Sequence, residues 1–199
     1  MASVCAVFGM MCSLMSLVLN ALAIATPHWL HSRSMLPTLN IGLFRHCEVE
    51  DNFCGDMERI NAMINPSDIA WFRVIQAAFI LSVIGSLLSS IMSVFLLTKL
   101  FDGVGGYKMT SLVNFLTMTS EITVVVLFGL NYVDMFGLDG HTVSLEWSYY
   151  VAIAACVFLF FALVFHAMEA SRAAEIIKNV QHRITGLTTP YTLFVDQEP

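Results

Sequence analysis

The stretch 29–54, WLHSRSMLPTLNIGLFRHCEVEDNFC, decides the fold of this chain. It is the only long polar segment between two apolar runs of the sequence. Trp29 stands at its start, the tripeptide Gly42-Leu43-Phe44 follows, and Cys47 and Cys54 close it with six residues between them. They are also the only closely spaced cysteines outside the apolar runs, so the rest of the sequence reads as a scaffold for this loop.

The composition is that of a membrane protein. Of the 199 residues, 57% are hydrophobic and only 12% are charged, and the mean hydropathy is +0.75, whereas soluble domains carry about 25% charged residues. Crossing a hydrocarbon core takes about 20 apolar residues, and four runs are long enough, at 4–26, 72–98, 109–133 and 148–168. The sequence therefore predicts a single four-span membrane domain over residues 1–199.

Each predicted span carries one face of small or polar residues. Spacings of three and four place these residues on one side of a helix, and such faces allow close helix packing in lipid. We therefore expect the face of the first span to approach a neighbouring helix closely and the face with Glu121 to turn inward. The faces are Gly9, Ser13, Ser16, Asn20 and Ala23; Ser82, Ser86, Ser89 and Ser93; Thr110, Asn114, Thr117 and Glu121; and Ala152, Ala155, Ala162 and His166.

Glu121 is the one ionisable residue expected deep in the bilayer. At about 1.5 Å rise per residue from the end of its span near Val133, it lies roughly 18 Å deep. A carboxylate facing lipid costs several kcal/mol, so we expect an inward-facing, protonated acid that hydrogen-bonds to a serine hydroxyl at 82–86 or 13–16. Together with Asn20 and Asn114 it forms the predicted set of polar residues inside the membrane, for which an ion relay is the functional alternative to a structural role.

The ends of the chain give weaker signals. The first run exceeds the roughly 7–15 residues of a signal-peptide core, so we expect a retained helix. Cys5 and Cys12 are expected to be thiols in the membrane, with palmitoylation of Cys5 as the alternative. Beyond the fourth run, an apolar stripe from Ala173 to Ile184 beside basic residues predicts a helix on the membrane surface that ends at Gly186.

The order of Trp29, Gly42-Leu43-Phe44, Cys47 and Cys54 resembles the signature of the claudin superfamily, which includes claudins, peripheral myelin and epithelial membrane proteins, and calcium-channel gamma subunits. Phe44 stands where that family usually has a tryptophan. The sequence after Arg73, VIQA followed by ILSVI, is similar to the myelin and epithelial branch, as is the turn at 105–107. The resemblance implies an all-α four-helix bundle with a small antiparallel β-sheet in the first extracellular loop.

The resemblance also implies a disulfide between Cys47 and Cys54, and this disulfide sets the predicted topology. Lys and Arg give no orientation signal because they are split almost evenly between the two sides. A disulfide persists only in an oxidising compartment, so loops 27–71 and 134–147 are predicted to be extracellular. Loop 99–108, tail 169–199 and both termini are then cytoplasmic.

Within the first loop, residues 41–47 and a shorter piece around Phe53 could pair as antiparallel strands joined by the two cysteines. Closing so short a loop would contribute roughly 2–3 kcal/mol by chain entropy. Zinc held by His46, Cys47 and Cys54 is the alternative, although no second Cys/His pair supports it. The loop contains no acceptor site for N-glycosylation, because Pro66 occupies the middle of its one Asn-x-Ser triplet.

Enzymes are disfavoured, since the sequence has no paired catalytic acids, nucleophile elbow, metal-binding His pair or CxxC motif; we expect no cofactor, metal or nucleic-acid site. Two roles fit the resemblance. The first is adhesion at cell–cell and tight junctions of the plasma membrane, with homo-oligomers or related proteins joined in cis and in trans. The second is an auxiliary subunit for an ion channel or receptor, for which Arg45 after Phe44 is reminiscent of gamma subunits.

If the loop lines a paracellular pore, the acidic cluster of Asp51, Asp56 and Glu58 predicts a preference for cations.

Overall fold

The computed structural model describes residues 3–33, 38–50, 53–56, 66–98, 104–136 and 142–192. Four long helices dominate it. They are α1 (Val4–Ala25), α2 (Pro66–Leu97), α3 (Val104–Phe136) and α4 (Trp147–Thr192). Each is long and apolar enough to cross a membrane, and at most a third of each most apolar segment is buried inside the protein. The large apolar side chains therefore point outward, where lipid is their solvent.

The four helices form a bundle in which α1 packs against α2 and α4, and α3 packs against the same two helices. Helices α1 and α3 thus face each other across the diagonal. The predicted small and polar faces of all four helices are buried, as the spacing indicated. The four apolar runs of the sequence fall on these helices, and three of the helices extend beyond the runs.

A five-stranded antiparallel sheet lies at one end of the bundle. Its strands are β1 (Leu30–Arg33), β2 (Leu39–Ile41), β3 (Arg45–Glu48), β4 (Phe53–Asp56) and β5 (Thr142–Leu145). The order across the sheet is β4-β3-β2-β1-β5. Four strands come from the segment between α1 and α2, which confirms the expected fold class. The fifth comes from the segment between α3 and α4 and was not expected.

Three details differ from the expectations. Residues 41–47 are not one strand, because the chain turns at 42–44 between β2 and β3. The pair Gly105-Gly106 belongs to the first turn of α3 rather than to a connecting turn. Helix α4 continues without a break to Thr192, so residues 173–184 extend the fourth helix instead of forming a separate surface helix. No Gly or Pro interrupts 168–185, and this run contains nothing that would stop a helix.

Candidate functional site

Trp29 joins the sheet to the helices. Its side chain is fully buried, and its indole N–H donates to the carbonyl of Ala23 in the last turn of α1 at 2.7 Å. The ring makes edge-on contacts with Phe79 of α2, Phe128 of α3 and Tyr149 of α4, at centroid distances of 5.1–6.0 Å. One side chain therefore touches all four helices from the first residue before β1, which is the arrangement that aromatic side chains favour.

The tripeptide Gly42-Leu43-Phe44 forms the turn that seats the sheet on the bundle. A Cβ on Gly42 would lie 2.8 Å from the Cα of Pro27 and 2.9 Å from the carbonyl oxygen of Thr26. Only a glycine allows so close an approach of two backbones. Leu43 is buried next to it, and its carbonyl accepts a hydrogen bond from the Gln76 side chain of α2. The turn Gly42-Leu43-Phe44 is therefore where the sheet packs on the helices. The hydrogen bond that Gln76 adds to this contact could not be predicted from the sequence.

Cys47 and Cys54 form a disulfide across the hairpin of β3 and β4. They face each other in the register of the two strands, which is the pairing that the resemblance implied. Because the two sulfurs are bonded to each other, they cannot act as thiolate ligands of zinc. His46, the third residue of that alternative, is buried and faces Gly55 across the same two strands.

The outer side of this hairpin exposes apolar side chains. Strand β4 ends the sheet order, and the hairpin carries Val49 and Phe53 with 48% and 49% of their surfaces exposed. Of the predicted acidic cluster, Asp56 is exposed on β4, whereas Asp51 and Glu58 lie outside the described residues. Strand ends that expose both apolar and acidic groups are suited to contacts with another protein.

The bundle centre brings together Asn20, Ser82 and Glu121 from α1, α2 and α3. All three are fully buried. The amide N–H of Asn20 and the hydroxyl of Ser82 both donate to Oε2 of Glu121, at 3.2 and 3.1 Å. Ser82 lies in the expected range, but the partner on α1 is Asn20 rather than Ser13 or Ser16. The sequence predicted the face of α1 on which Asn20 lies, but it did not predict how far α1 is shifted along α3.

A second polar layer lies closer to the other end of the bundle. The hydroxyl of Ser89 donates to the amide oxygen of Asn114 and lies 3.4 Å from the hydroxyl of Ser13. One layer further, the hydroxyl of Ser93 lies 3.0 Å from Nε2 of His166, which is buried. Of the predicted polar residues, Asn20 and Glu121 therefore share one layer, whereas Asn114 lies in the next.

The remaining cysteines are unpaired thiols in helices. The sulfur of Cys5 accepts a hydrogen bond from the Arg172 guanidinium at 3.3 Å, and this bond joins the first turn of α1 to α4. Cys12 is partly buried on another face of α1, and Cys156 lies in α4. Across the described ranges, no three His, Cys, Asp or Glu side chains are grouped as metal ligands would be. The described side chains hold a sheet at one end of a bundle of four membrane-spanning helices.

An apolar groove runs along the lipid-facing side of α3 and α4. Its walls are apolar side chains from both helices, together with the thiol of Cys156. The lining residues are Met118, Ile122, Val125, Val126, Ile153, Cys156, Val157 and Phe160. A groove without polar groups at this depth can take up a lipid chain or the apolar face of another helix.

The comparison with known families accounts for this arrangement. No individual curated protein matches the chain significantly. The sequence profile of the PMP-22/EMP/MP20/Claudin family, however, matches residues 2–166, which include all five strands and the four helices up to His166 of α4. With its four apolar helices, its sheet held by Trp29 and its Cys47–Cys54 disulfide, this multi-pass membrane protein belongs to the PMP-22/EMP/MP20/Claudin family.

Proposed function

We propose that this protein acts in cell–cell junctions as an adhesive membrane protein, without enzymatic activity. The observation that supports it best is the rigid sheet. Trp29 fixes it to all four helices, while the β3–β4 hairpin at one edge of the sheet presents exposed Val49 and Phe53. Exposed apolar side chains on an ordered edge are a common basis for protein contacts. Copies of the chain or related proteins would meet through this edge, side by side in one membrane or head to head between two.

This role requires the sheet to be extracellular and both termini to be cytoplasmic. The disulfide supports that orientation because it needs an oxidising compartment. We therefore place the protein in the plasma membrane, with the stretches of 27–71 and 134–147 outside and with residues 99–108 and 169–199 inside. Accumulation at contacts between cells follows from the adhesive role.

Expression in cells without junctions tests the proposal. The tagged protein should concentrate where two expressing cells touch and should be uniform where an expressing cell touches a non-expressing one. The double variant V49S/F53S should lose this enrichment while still reaching the surface. Ser144→Asp on β5, at the opposite edge of the sheet, is the matched control and should keep it. Equal enrichment of the double variant would reject the β3–β4 hairpin as the contact surface.

If the sheet also lines a paracellular path, cations should pass preferentially. Exposed Asp56, together with Asp51 and Glu58, would attract cations through the local potential. Dilution potentials across an expressing epithelial layer should show a cation preference that falls in a variant with all three acids changed to the corresponding amides. Glu175→Gln, which removes an exposed acid of α4, should have no effect. An anion preference would reject a cation path.

The groove of α3 and α4 favours one alternative function, that of an auxiliary subunit which docks on a channel or receptor. Val157 is exposed on the groove wall, so Val157→Trp should fill the groove. In the auxiliary role, this variant should lose co-purification of a channel and its uniform surface distribution should remain. Leu22→Trp, at an exposed position on α1, is the control. Enrichment at cell contacts without any captured channel would favour adhesion instead.

A further inference from the structure

The buried cluster of Asn20, Ser82 and Glu121 has an unsatisfied hydrogen-bonding pattern. Helices α1 and α3 are diagonal neighbours in the bundle, so the Asn20–Glu121 contact spans its centre, with Ser82 of α2 at the side. Both donors converge on the same carboxyl oxygen, Oε2. The other carboxyl oxygen, Oε1, and the amide oxygen Oδ1 of Asn20 are fully buried without a hydrogen-bond partner.

The two unpaired atoms, Oε1 and Oδ1, belong to Glu121 and Asn20. These side chains are already hydrogen-bonded to each other through Nδ2 of Asn20 and Oε2 of Glu121. If Glu121 is ionised, Oε1 and Oδ1 are both acceptors, and neither can satisfy the other. Leaving a buried acceptor unpaired is unfavourable, and more so when it is charged. A single hydrogen atom on Oε1 removes both defects, because a carboxylic acid donates through one oxygen and accepts through the other.

The surroundings offer no countercharge for a carboxylate. From α1 the group meets the amide of Asn20 and from α2 the hydroxyl of Ser82. The thiol of Cys156 on α4 is close enough to interact with it electrostatically, and among the described residues no Lys, Arg or His side chain acts on Glu121. An uncompensated charge in so buried a place is expensive, whereas a neutral acid hydrogen-bonded to Asn20 and Ser82 is not.

We propose that Glu121 binds one proton on Oε1 and donates it to Oδ1 of Asn20, which closes a two-bond ring between the acid and the amide. The proton comes from solvent and forms an O–H bond, and no bond is broken in the protein. Ser82 continues to donate to Oε2. This bound proton is a structural ligand that joins α1, α2 and α3 at the sheet end of the bundle.

A proton fits this place better than a metal cation. A cation would need further oxygen ligands around Oε1 and Oδ1. The hydroxyl of Ser16, one helical turn from Asn20, is the one other oxygen of this α1 face that the described part of the chain leaves unpaired. Three oxygens are fewer than the roughly six or more ligands that Mg²⁺ or Ca²⁺ takes, whereas the proton needs only the two that are present.

The proposal links stability to pH with a definite sign. The folded protein holds a proton that a solvated glutamate of the unfolded chain releases at neutral pH. Because the folded state then binds more protons than the unfolded state, stability falls as the pH rises. Glu121→Gln replaces the O–H donor by an N–H donor, so this variant should keep the ring without depending on pH.

Infrared spectroscopy of the full-length protein in detergent micelles tests the proposal directly. At neutral pH the wild type should show the carbonyl band of a protonated carboxylic acid, and Glu121→Gln should lack it. In Asn20→Leu the band should move to higher frequency, because the acid has lost its amide partner. Thermal unfolding gives the second measurement: from neutral to alkaline pH, the wild-type Tm should decrease by at least about 2–4 °C more than that of Glu121→Gln.

Two controls distinguish a proton bound at Glu121 from a bound cation and from the titration of surface acids. Glu175→Gln removes an exposed acid of α4 and should keep both the band and the pH dependence of the wild type. Replacement of choline chloride by sodium chloride at equal ionic strength should leave the Tm unchanged. The proposal is overturned if the wild type shows no protonated-acid band at neutral pH. A sodium-dependent rise in Tm that is lost in Glu121→Gln would overturn it as well, in favour of a cation site.

Discussion

At the scale of single residues, Trp29 is the largest fully buried side chain of the described residues. It is fully buried against three aromatic rings and satisfies the Ala23 carbonyl. Trp29→Ala should therefore destabilise the protein by about 3–5 kcal/mol, as measured by unfolding in detergent. Trp71→Ala, which removes a tryptophan with 56% of its surface exposed, is the matched control and should change stability far less. Similar losses in the two variants would contradict this role.

Two glycines make a second prediction at this scale. A methyl group at Gly42 meets the backbone of Pro27 and Thr26, which cannot move aside cheaply. Gly42→Ala should therefore cost about 1–3 kcal/mol. At Gly105, in the first turn of α3, a methyl group meets nothing within 4 Å, so Gly105→Ala should be neutral or stabilising by up to about 1 kcal/mol. Unfolding curves of the two variants decide it, and equal stabilities would refute the close contact.

Two hydrogen bonds between distant parts of the chain could not be predicted from the sequence. Helical spacing placed Asn20 and Glu121 on buried faces, because spacing depends only on the helix itself. Their contact depends on how far α1 is shifted along α3, and that shift follows from side-chain packing between helices distant in sequence. The hydrogen bond from Gln76 to Leu43 has the same origin, since it joins a helix to a loop whose path is set by Trp29.

At the scale of elements, the β3–β4 hairpin depends on its disulfide. Closing a loop with a sequence separation of 7 should contribute about 2–3 kcal/mol by chain entropy. Cys47→Ser together with Cys54→Ser should lower the stability by this amount, and reductant should affect the wild type but not the double variant. Cys156→Ser, at an unpaired thiol of α4, should retain the response to reductant. A wild type that does not respond to reductant would contradict the prediction.

The elements differ in how well the sequence predicted them. The helices follow from long apolar runs, which leave few alternatives in lipid. The strands are only three or four residues long, and β5 pairs with β1 across most of the chain. The segment 142–145 contains no cysteine or signature residue, so nothing local distinguishes it from a loop. Helix α4 continues beyond Met168, the predicted end of the fourth span. The thickness of the membrane limits the length of the apolar run, but it does not limit the length of the helix.

At the scale of the whole molecule, the orientation can be tested with the same protein. A tag after residue 199 should be reached by antibody only in permeabilised cells. A cysteine introduced at Ser144 of β5 should react with an impermeant maleimide in intact cells. Ser171→Cys, at an exposed position on α4 beyond the bundle core, should react only after permeabilisation. Reaction of Ser171→Cys in intact cells would invert the proposed topology and remove the basis of the adhesive role.

The order in which the ribosome makes the strands has a consequence for biosynthesis. Strand β1 emerges more than a hundred residues before β5, its neighbour in the finished sheet. At about 5–20 residues per second, the interval is on the order of ten seconds. In the proposed topology, the nascent chain presents an open β1 edge to the chaperones of the secretory pathway during that time. A truncation that ends after α3 can never close it, and such a product should be retained and degraded early.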